Sequence, residues 1–447
     1  MINQIKSYFL KPVHLAPLAV FRMAFGILML GSILRFIAKG WVYDMYVKPK
    51  LFFPYYGFEW LKPLSETSMY VIFVMLAITA LFIALGFLYR FSAIVFFLGF
   101  TYIELIDKTN YLNHYYFISI ISFLIIFLPA NLYFSLDAAF NKKLAASYAP
   151  NYFILILKFQ VAIVYFFAGL AKINSDWLLH AQPLKIWLPA HSEMPLIGKL
   201  LTKEWVPYLF SWFGCVYDLL IPFLLFIPRF IKPAYFFVIV FHLSTSLFFN
   251  IGMFPYIMIS LTTIFFTEAF HLKIINAIKT VIKIKSSEVA SSYFPSRKTF
   301  KLITILLCIH FIVQVIVPFR YLLYPGNLYW TEQGYRFSWR VMLMEKAGTA
   351  FFYVHDRTSG GEIEIDNKKY LTYMQEKMMA TQPDMMVDYA KFLKTEFIKQ
   401  GFKDPIIRAQ SYVTLNGSGS REFIDPMVDL SIQSNSFLKN KNWIKNY

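Results

Sequence analysis

The chain has 447 residues, 58% of them hydrophobic, 20% aromatic and only 15% charged, with a mean hydropathy of +0.51. Soluble domains are nearer half apolar and a quarter charged, so these values exclude a soluble enzyme with one anchor and indicate a polytopic membrane protein. The net charge of +17 fits basic cytoplasmic loops and anionic membrane lipid; no nucleic-acid-reading motif accompanies it, and no nucleic-acid partner is expected.

Apolar runs fall at 15–37, 69–88, 92–106, 115–134, 152–172, 205–227, 234–250, 256–270 and 302–319. A span needs about 20 mostly apolar residues. Several runs sit near that limit, so the sequence predicts about nine transmembrane helices. The first run is longer than a signal-peptide core and lacks a small-x-small cleavage site, so it is expected to be retained. The stretch 234–270 is too long for one helix and is divided at NIGMFP, Asn250 to Pro255, where Gly and Pro break helices.

Lys and Arg in the loops set the orientation. With Lys6 and Lys11 cytoplasmic, the inner loops carry Arg90, Lys142, Lys143, Arg229 and Lys232. The last inner loop is the most basic, with Lys273, Lys279, Lys283, Lys285, Arg297 and Lys298. Lysines such as Lys48 and Lys203 in the outer loops dilute the bias. An odd number of spans then puts residues 320–447 outside the cytoplasm, and the chain divides into a helical core, 1–319, and an outer domain, 320–447.

That outer region has no long apolar run. Phe351 to Val354 and Glu362 to Ile365 flank the turn DRTSGG and predict a hairpin; Ile406 to Leu415 and Arg421 to Ile424 flank NGSGS and predict a second. Residues 369–400 have helical spacing, with Met378, Met379, Met385 and Met386 as core. A small α+β domain of about 100 residues is expected. Cys215 and Cys308 lie in apolar runs without metal-like spacing, so they are expected as core residues rather than ligands or a disulfide.

The stretch Tyr152 to Trp177, YFILILKFQVAIVYFFAGLAKINSDW, stands out. It carries Lys158 and Gln160 inside a span and Lys172 at its edge. An ammonium at the edge of hydrocarbon either snorkels to the interface or does chemistry. Under the predicted topology four polar segments share one membrane face: Asp107 to His114, Lys172 to Trp177, His242 to Tyr256, and Asn327 to Trp339. Their convergence suggests one site.

Each segment also has a plainer reading. Asp107 and Lys108 fit a solvated turn, His114 an interfacial anchor, His242 a hydrogen-bonded core histidine, and the last segment an interfacial aromatic belt. Asp218, inside a span, is assigned as a structural charge pairing with a basic group such as Arg22 or Lys158. His114 and His242 lack metal-ligand spacing, and no metal is expected. No phosphate loop, nucleophile elbow or CxxC motif occurs. A desolvated lysine is a usable general base, and one facing lipid suits a lipid-borne substrate such as a quinol.

At these residues the chain resembles the vitamin K-dependent gamma-glutamyl carboxylases, within the wider family of horizontally transferred transmembrane domain proteins. The resemblance runs through PLAVFRMAFGILML, IDKTNYLNHYY, IVYFFAGLAKINSDW, FNIGMFPYIM, QGYRFSW and FIDPMVDL, in that order. It implies a multi-span core with a lumenal or periplasmic site. It also implies a lyase that oxidises vitamin K hydroquinone with O2 to the epoxide and couples this to adding CO2 to peptidyl glutamate, giving gamma-carboxyglutamate.

By resemblance Lys172 is the base that deprotonates the hydroquinone, and Asn113 and His114 hold or polarise quinone oxygens. Tyr335 and Trp339, with His242, Asn250 and Met253, are candidate quinone- or substrate-binding residues. The implied partners are membrane lipid, the quinone and a glutamate-containing peptide. Ala171 stands where animal enzymes have a first lysine, and the segment linked there to propeptide recognition is not represented. The Lys-, Ile-, Asn- and Phe-rich composition suggests a bacterial inner-membrane protein facing the periplasm. Two alternatives remain at this point: a quinol epoxidase or oxidase without carboxylation, and a non-enzymatic transporter or assembly factor using Lys172 and Asp218 as a buried pair.

Overall fold

The structure, a computed structural model, describes residues 2–249, 251–283, 291–357 and 360–447. Among the described residues, seven helices are long and apolar enough to cross a membrane, or eight if one sharply bent pair is a single span. They include α1 (Ala16–Ala38), α2 (Glu66–Leu85), α3 (Tyr89–Ile106), and, after the shorter α4 (Asn113–Ile125), α5 (Tyr152–Ala171). The core continues through α6 (Trp205–Phe226) and α7 (Ile231–Phe248). The bent pair follows as α8 (Phe254–Thr262) and α9 (Glu268–Val281), and then α10 (Arg297–Ile316). Twenty residues of helix rise about 30 Å, the thickness of a hydrocarbon core. Rows of exposed side chains such as Val71, Val74, Ile78 and Leu81 on α2, and Ile305, Ile309 and Ile312 on α10, present apolar faces outward. These are lipid-facing stripes, and the protein is an integral, polytopic membrane protein with a small C-terminal α+β part.

Two of the nine predicted runs differ from long helices for identifiable reasons. The run at 115–134 is helical only over Asn113–Ile125, because Pro129 and the turns around it end the helix early. Arg22, fully buried in α1, donates to the freed carbonyls of Ala130 at 3.0 Å and Phe134 at 2.7 Å. Non-helical backbone at membrane depth survives only where protein satisfies it in this way. The run at 256–270 breaks after Phe265, and α9 leaves at 116° to the preceding helix. An antiparallel pair, β1 (Pro12–His14) with β2 (Tyr148–Pro150), ties the N-terminal end of α1 to the start of α5. The α4 segment therefore returns the chain to the end where it began.

Helix approach is closest where side chains vanish. A Cβ on Gly26 would lie 2.5 Å from the Ala84 nitrogen, so α1 and α2 meet backbone to backbone there. A Cβ on Gly169 would lie 2.8 Å from the Leu219 nitrogen, which presses α5 onto α6 beside Asp218.

The C-terminal part forms a four-stranded antiparallel sheet in the order β4-β3-β5-β6, with β3 Lys346–His355, β4 Glu362–Ile365, β5 Ile406–Leu415 and β6 Arg421–Glu422. Both predicted hairpins are present, Phe352 facing Ile365 and Tyr412 facing Glu422; Thr358 and Ser359 of the first turn lie outside the described residues. Alternate residues of β5, from Ile407 to Leu415, are buried, the period-two pattern of a one-sided sheet. Helices α11 (Tyr373–Met379) and α12 (Pro383–Lys399) divide the predicted helical stretch at Pro383, and Met379, Met385 and Met386 are core while Met378 packs at its margin.

Charge fastens this part to the membrane core. Lys108, between α3 and α4, is 3% exposed and meets Asp384 at 2.9 Å and Asp388 at 2.6 Å. Arg336 meets Asp384 at 2.7 Å. Burial alone would raise the Asp384 pKa, but Arg336 and then Lys108 override it and hold the carboxyl well below its ordinary range. Its stabilising contribution is therefore complete above the unfolded carboxylate pKa and is lost as the pH falls through the lower folded value. Asp384→Asn should weaken docking at neutral pH by about 3–5 kcal/mol. Thermal melting and limited proteolysis in detergent should show an earlier transition at pH 7, with the gap from wild type narrowing below about pH 4.

Candidate functional site

The site begins where α5 ends. Lys172 is the C-cap of that helix, a position where a cation faces the negative end of the helix dipole. Its Nζ donates to the Ala168 carbonyl at 3.2 Å and to Asp218 Oδ2 at 2.6 Å. Both residues are nearly sealed, Lys172 5% and Asp218 3% exposed. Asp218 thus pairs with Lys172, not with Arg22 or Lys158 as its assignment as a structural charge assumed. Arg22 is spent on carbonyls near the opposite end of the bundle. Lys158 lies 5.5 Å from the centre of the Phe265 ring.

The segment after Lys172 locks the pair in place. Asn174 caps a short turn by accepting from the Trp177 backbone N–H at 2.9 Å. The Trp177 indole donates to the Ser211 carbonyl at 2.8 Å, and the Ser211 hydroxyl returns a hydrogen bond to the Trp177 carbonyl. Gly214, one turn before Asp218 on α6, faces the Trp177 ring and the Lys172 stem at van der Waals distance.

A cavity of about 100 Å³ opens beside the pair, bounded by α5, α6, α7 and the start of α8. Its walls are mostly apolar and aromatic, including Trp177, Trp187, Phe241, Phe249 and Phe254, and Val341 with Met342 close it from the C-terminal part. Five polar side chains point the other way in character: Lys172, Asp218, Tyr165, His242 and Thr245. His242 Nε2 and the Tyr165 hydroxyl are 2.9 Å apart. His242 Nδ1 is buried and has no hydrogen-bond partner among the described residues. An apolar slot with a few converging polar groups is the usual form of a small-molecule site. A flat aromatic molecule with two oxygens fits this donor set, one oxygen toward the Lys172–Asp218 pair and the other toward His242.

The other sequence candidates take different places. His114 stands behind Phe254, its ring stacked at 5.9 Å, and Phe254 in turn meets His242 edge-on at 6.0 Å. Asn113 does not line the cavity; its Nδ2 donates to the Arg340 carbonyl at 2.8 Å and its Oδ1 accepts from Tyr111 at 3.1 Å. Trp339 is buried against Tyr116 at 4.9 Å, and Tyr335 packs near Tyr329. Met253 precedes α8 at the margin of the core. Asn250 lies outside the described residues. Phe337, Trp339 and Met342 all have positive φ, between 54° and 60°. Non-glycine residues held there store strain that clusters at functional sites. This strained segment covers the start of α4, which rises only about 20 Å.

Sequence reasoning missed Tyr165, Trp187 and Arg340. Tyr165, Ala168 and Lys172 follow i, i+3, i+7 spacing, as Phe210, Gly214 and Asp218 follow i, i+4, i+8, so helical periodicity from the lysine and the aspartate would have found the first of them. Among the described residues no His, Cys, Asp and Glu group is arranged to hold a metal ion.

The chain matches the family model of the HTTM domain over residues 10–270 and that of the vitamin K-dependent gamma-carboxylase lumenal domain over residues 299–447. It belongs to the HTTM family. With both domains present in order, it is a vitamin K-dependent carboxylase-like membrane protein. No solved structure matches it. The HTTM match contains the whole Lys172 cavity except the two closing residues, Val341 and Met342, which come from the lumenal-domain match.

The Lys172–Asp218 pair makes a testable demand on stability. Removing one partner of a buried pair costs about 3–5 kcal/mol, whereas replacing both with apolar groups is often near neutral. Asp218→Asn should melt earlier than wild type in detergent, and Lys172→Met with Asp218→Leu should recover most of the loss.

Proposed function

We propose that this protein is a membrane carboxylase that converts peptidyl glutamate to gamma-carboxyglutamate, coupled to oxidation of a vitamin K-type hydroquinone by O2 to the epoxide. The observation that carries this reading is a sealed lysine–carboxylate pair at the wall of an aromatic cavity that opens among membrane helices. Overall, hydroquinone, O2, CO2 and a glutamyl C–H become epoxide, gamma-carboxyglutamate and water. When bound, the hydroquinone supplies the reducing electrons and the strong base that the reaction needs.

The residues have separable tasks. The Lys172–Asp218 pair takes up the hydroxyl proton as a unit, with Lys172 Nζ facing the hydroquinone and Asp218 Oδ2 as its charge partner. His242, steadied by Tyr165, offers Nδ1 to the second ring oxygen. His114 acts from behind Phe254 by fixing that wall. Asn113 holds the strained segment through the Arg340 carbonyl, and with it Val341 and Met342 at the cavity. Trp339 and Tyr335 support the same segment, and Met253 sets the start of α8. Arg22 is a structural charge. The apolar walls exclude water, which protects a carbanion from reprotonation. No metal enters this scheme.

We further propose that the N-terminus is cytoplasmic and the C-terminal part extracytoplasmic, in a bacterial inner membrane. The basic side chains Arg90, Lys142, Lys143, Arg229, Lys232 and Lys279 lie in or next to the connections at the end opposite that part, in keeping with the positive-inside rule.

The test is Lys172→Ala in membranes given hydroquinone, O2, a glutamyl peptide and labelled bicarbonate. Loss of a general base lowers rate by about 100-fold or more. Label incorporation and epoxide formation should fall together by that factor. Undiminished labelled carboxyglutamate would remove Lys172 from the chemistry, and epoxide without any label in wild type would reduce the protein to a quinol epoxidase.

A further inference from the structure

A small cavity of about 20 Å³ lies between the C-terminal parts of α1 and α3 and the start of α4. It shares no residue with the Lys172 cavity. Its walls are mainly apolar, with Phe73 and Phe100 among them, and four side chains bring oxygen to it: Ser32, Tyr46, Glu104 and Tyr115.

Glu104 is the unusual one. It is 6% exposed. Its Oε2 accepts from the Ser119 hydroxyl of α4, but its Oε1 is buried with no hydrogen-bond partner among the described residues. No Lys or Arg lines the cavity. Lys108, the nearest cation along the chain, is turned to Asp384 and Asp388. Arg35 of α1 is exposed and lies 5.2 Å from the centre of the Trp41 ring. Asp107, the next acid after Glu104, is covered by the Thr109 N–H at 2.8 Å and Gln375 Nε2 at 3.2 Å. A carboxylate taken out of water without a counter-charge is expensive. Glu104 also sits in the last turn of α3, at the negative end of the helix dipole, where positive charge is favoured.

The space beside Oε1 shows what form that charge takes. A proton needs no cavity, whereas this one exceeds the roughly 10–15 Å³ that a single water-sized guest requires. The side chains around it offer oxygen alone, which selects a hard cation over a transition metal. One carboxylate and three hydroxyls fall short of the about six to eight oxygens, several of them charged, that calcium takes. We propose that this cavity binds one monovalent cation of sodium's size, with Glu104 Oε1 as its charged ligand and Ser32, Tyr46 and Tyr115 as its neutral ones. The bound ion ties together α1, the short helix Trp41–Tyr46, α3 and α4. It therefore braces the first turn of α4, where Tyr115 follows Asn113 and His114. The site stands apart from the quinone reading and from carboxylation, since neither supplies nor consumes such an ion.

The experiment is thermal unfolding of the purified full-length protein in a non-ionic detergent at pH 7.5, followed by tryptophan fluorescence. Sodium chloride is exchanged for choline chloride at constant ionic strength, choline being too large for the cavity. The wild-type Tm should rise with sodium along a saturable curve, by about 2 °C or more at saturation, as for a ligand that binds only the folded state. Glu104→Gln should lose the sodium dependence while remaining at least as stable as wild type in choline, because it no longer buries an uncompensated carboxylate. Coincident sodium and choline curves in wild type overturn the cation site and leave Glu104 neutralised by a proton. A sodium-dependent rise that survives in Glu104→Gln places the ion elsewhere and overturns it equally. If Glu104→Gln does not fold, Tyr46→Phe decides: loss of one neutral ligand should raise the sodium midpoint by about fivefold, and an unchanged midpoint counts against the site.

Discussion

An ammonium and a carboxylate 2.6 Å apart, each almost sealed from solvent, set the terms for the rest of the molecule. Neither charge is stable alone in such surroundings, so α5 and α6 must stay in register. Gly169 supplies the room for that, because a Cβ there would lie 2.8 Å from the Leu219 nitrogen of α6. The reciprocal bonds between Trp177 and Ser211 then fix the turn after Lys172. Asn174 and Asp176, in the same turn, reach Tyr329 and Asn416 of the C-terminal part. The ion pair, the helix contact and the domain contact are therefore one mechanical unit.

The C-terminal part is more than a cap. Its strained segment, with positive φ at Phe337, Trp339 and Met342, lies on the start of the short helix α4, where Phe337 and Trp339 pack against Tyr116. The Lys108–Asp384–Arg336 cluster fastens the same region from the side. Val341 and Met342 of this segment wall the Lys172 cavity, so a shift in the segment changes that cavity.

Much of this was legible in the sequence. Apolar runs located the spans, because helix length and bilayer thickness leave little freedom. The turn-flanked strands gave both hairpins, though not the β3–β5 pairing that joins them, since pairing between distant strands leaves no local mark. Lys172 and His242 were found as costly polar groups in apolar helices, and they share a cavity. Asp218 was noticed, but Arg22 or Lys158 was the favoured partner and the Lys172 pairing stood only in the non-enzymatic alternative, because which face of α6 meets α5 depends on Gly169, and a small residue announces no neighbour. The short length of α4 was hidden because apolar residues continue past Pro129 to Phe134. Arg340 was invisible for the opposite reason: an arginine in a polar, aromatic loop looks solvated, and its burial over the Tyr321 ring is a long-range packing contact.

The central claim is that the Lys172 cavity holds a quinone. Its most direct test is an experimental structure of the protein in nanodiscs with an added naphthoquinone. The account predicts ring density between Trp177, Phe241 and Phe254, with one oxygen within hydrogen-bond distance of Lys172 Nζ or Asp218 and the other near His242 Nδ1. A ring bound elsewhere, with this cavity empty and the Lys172–Asp218 pair untouched, would contradict it.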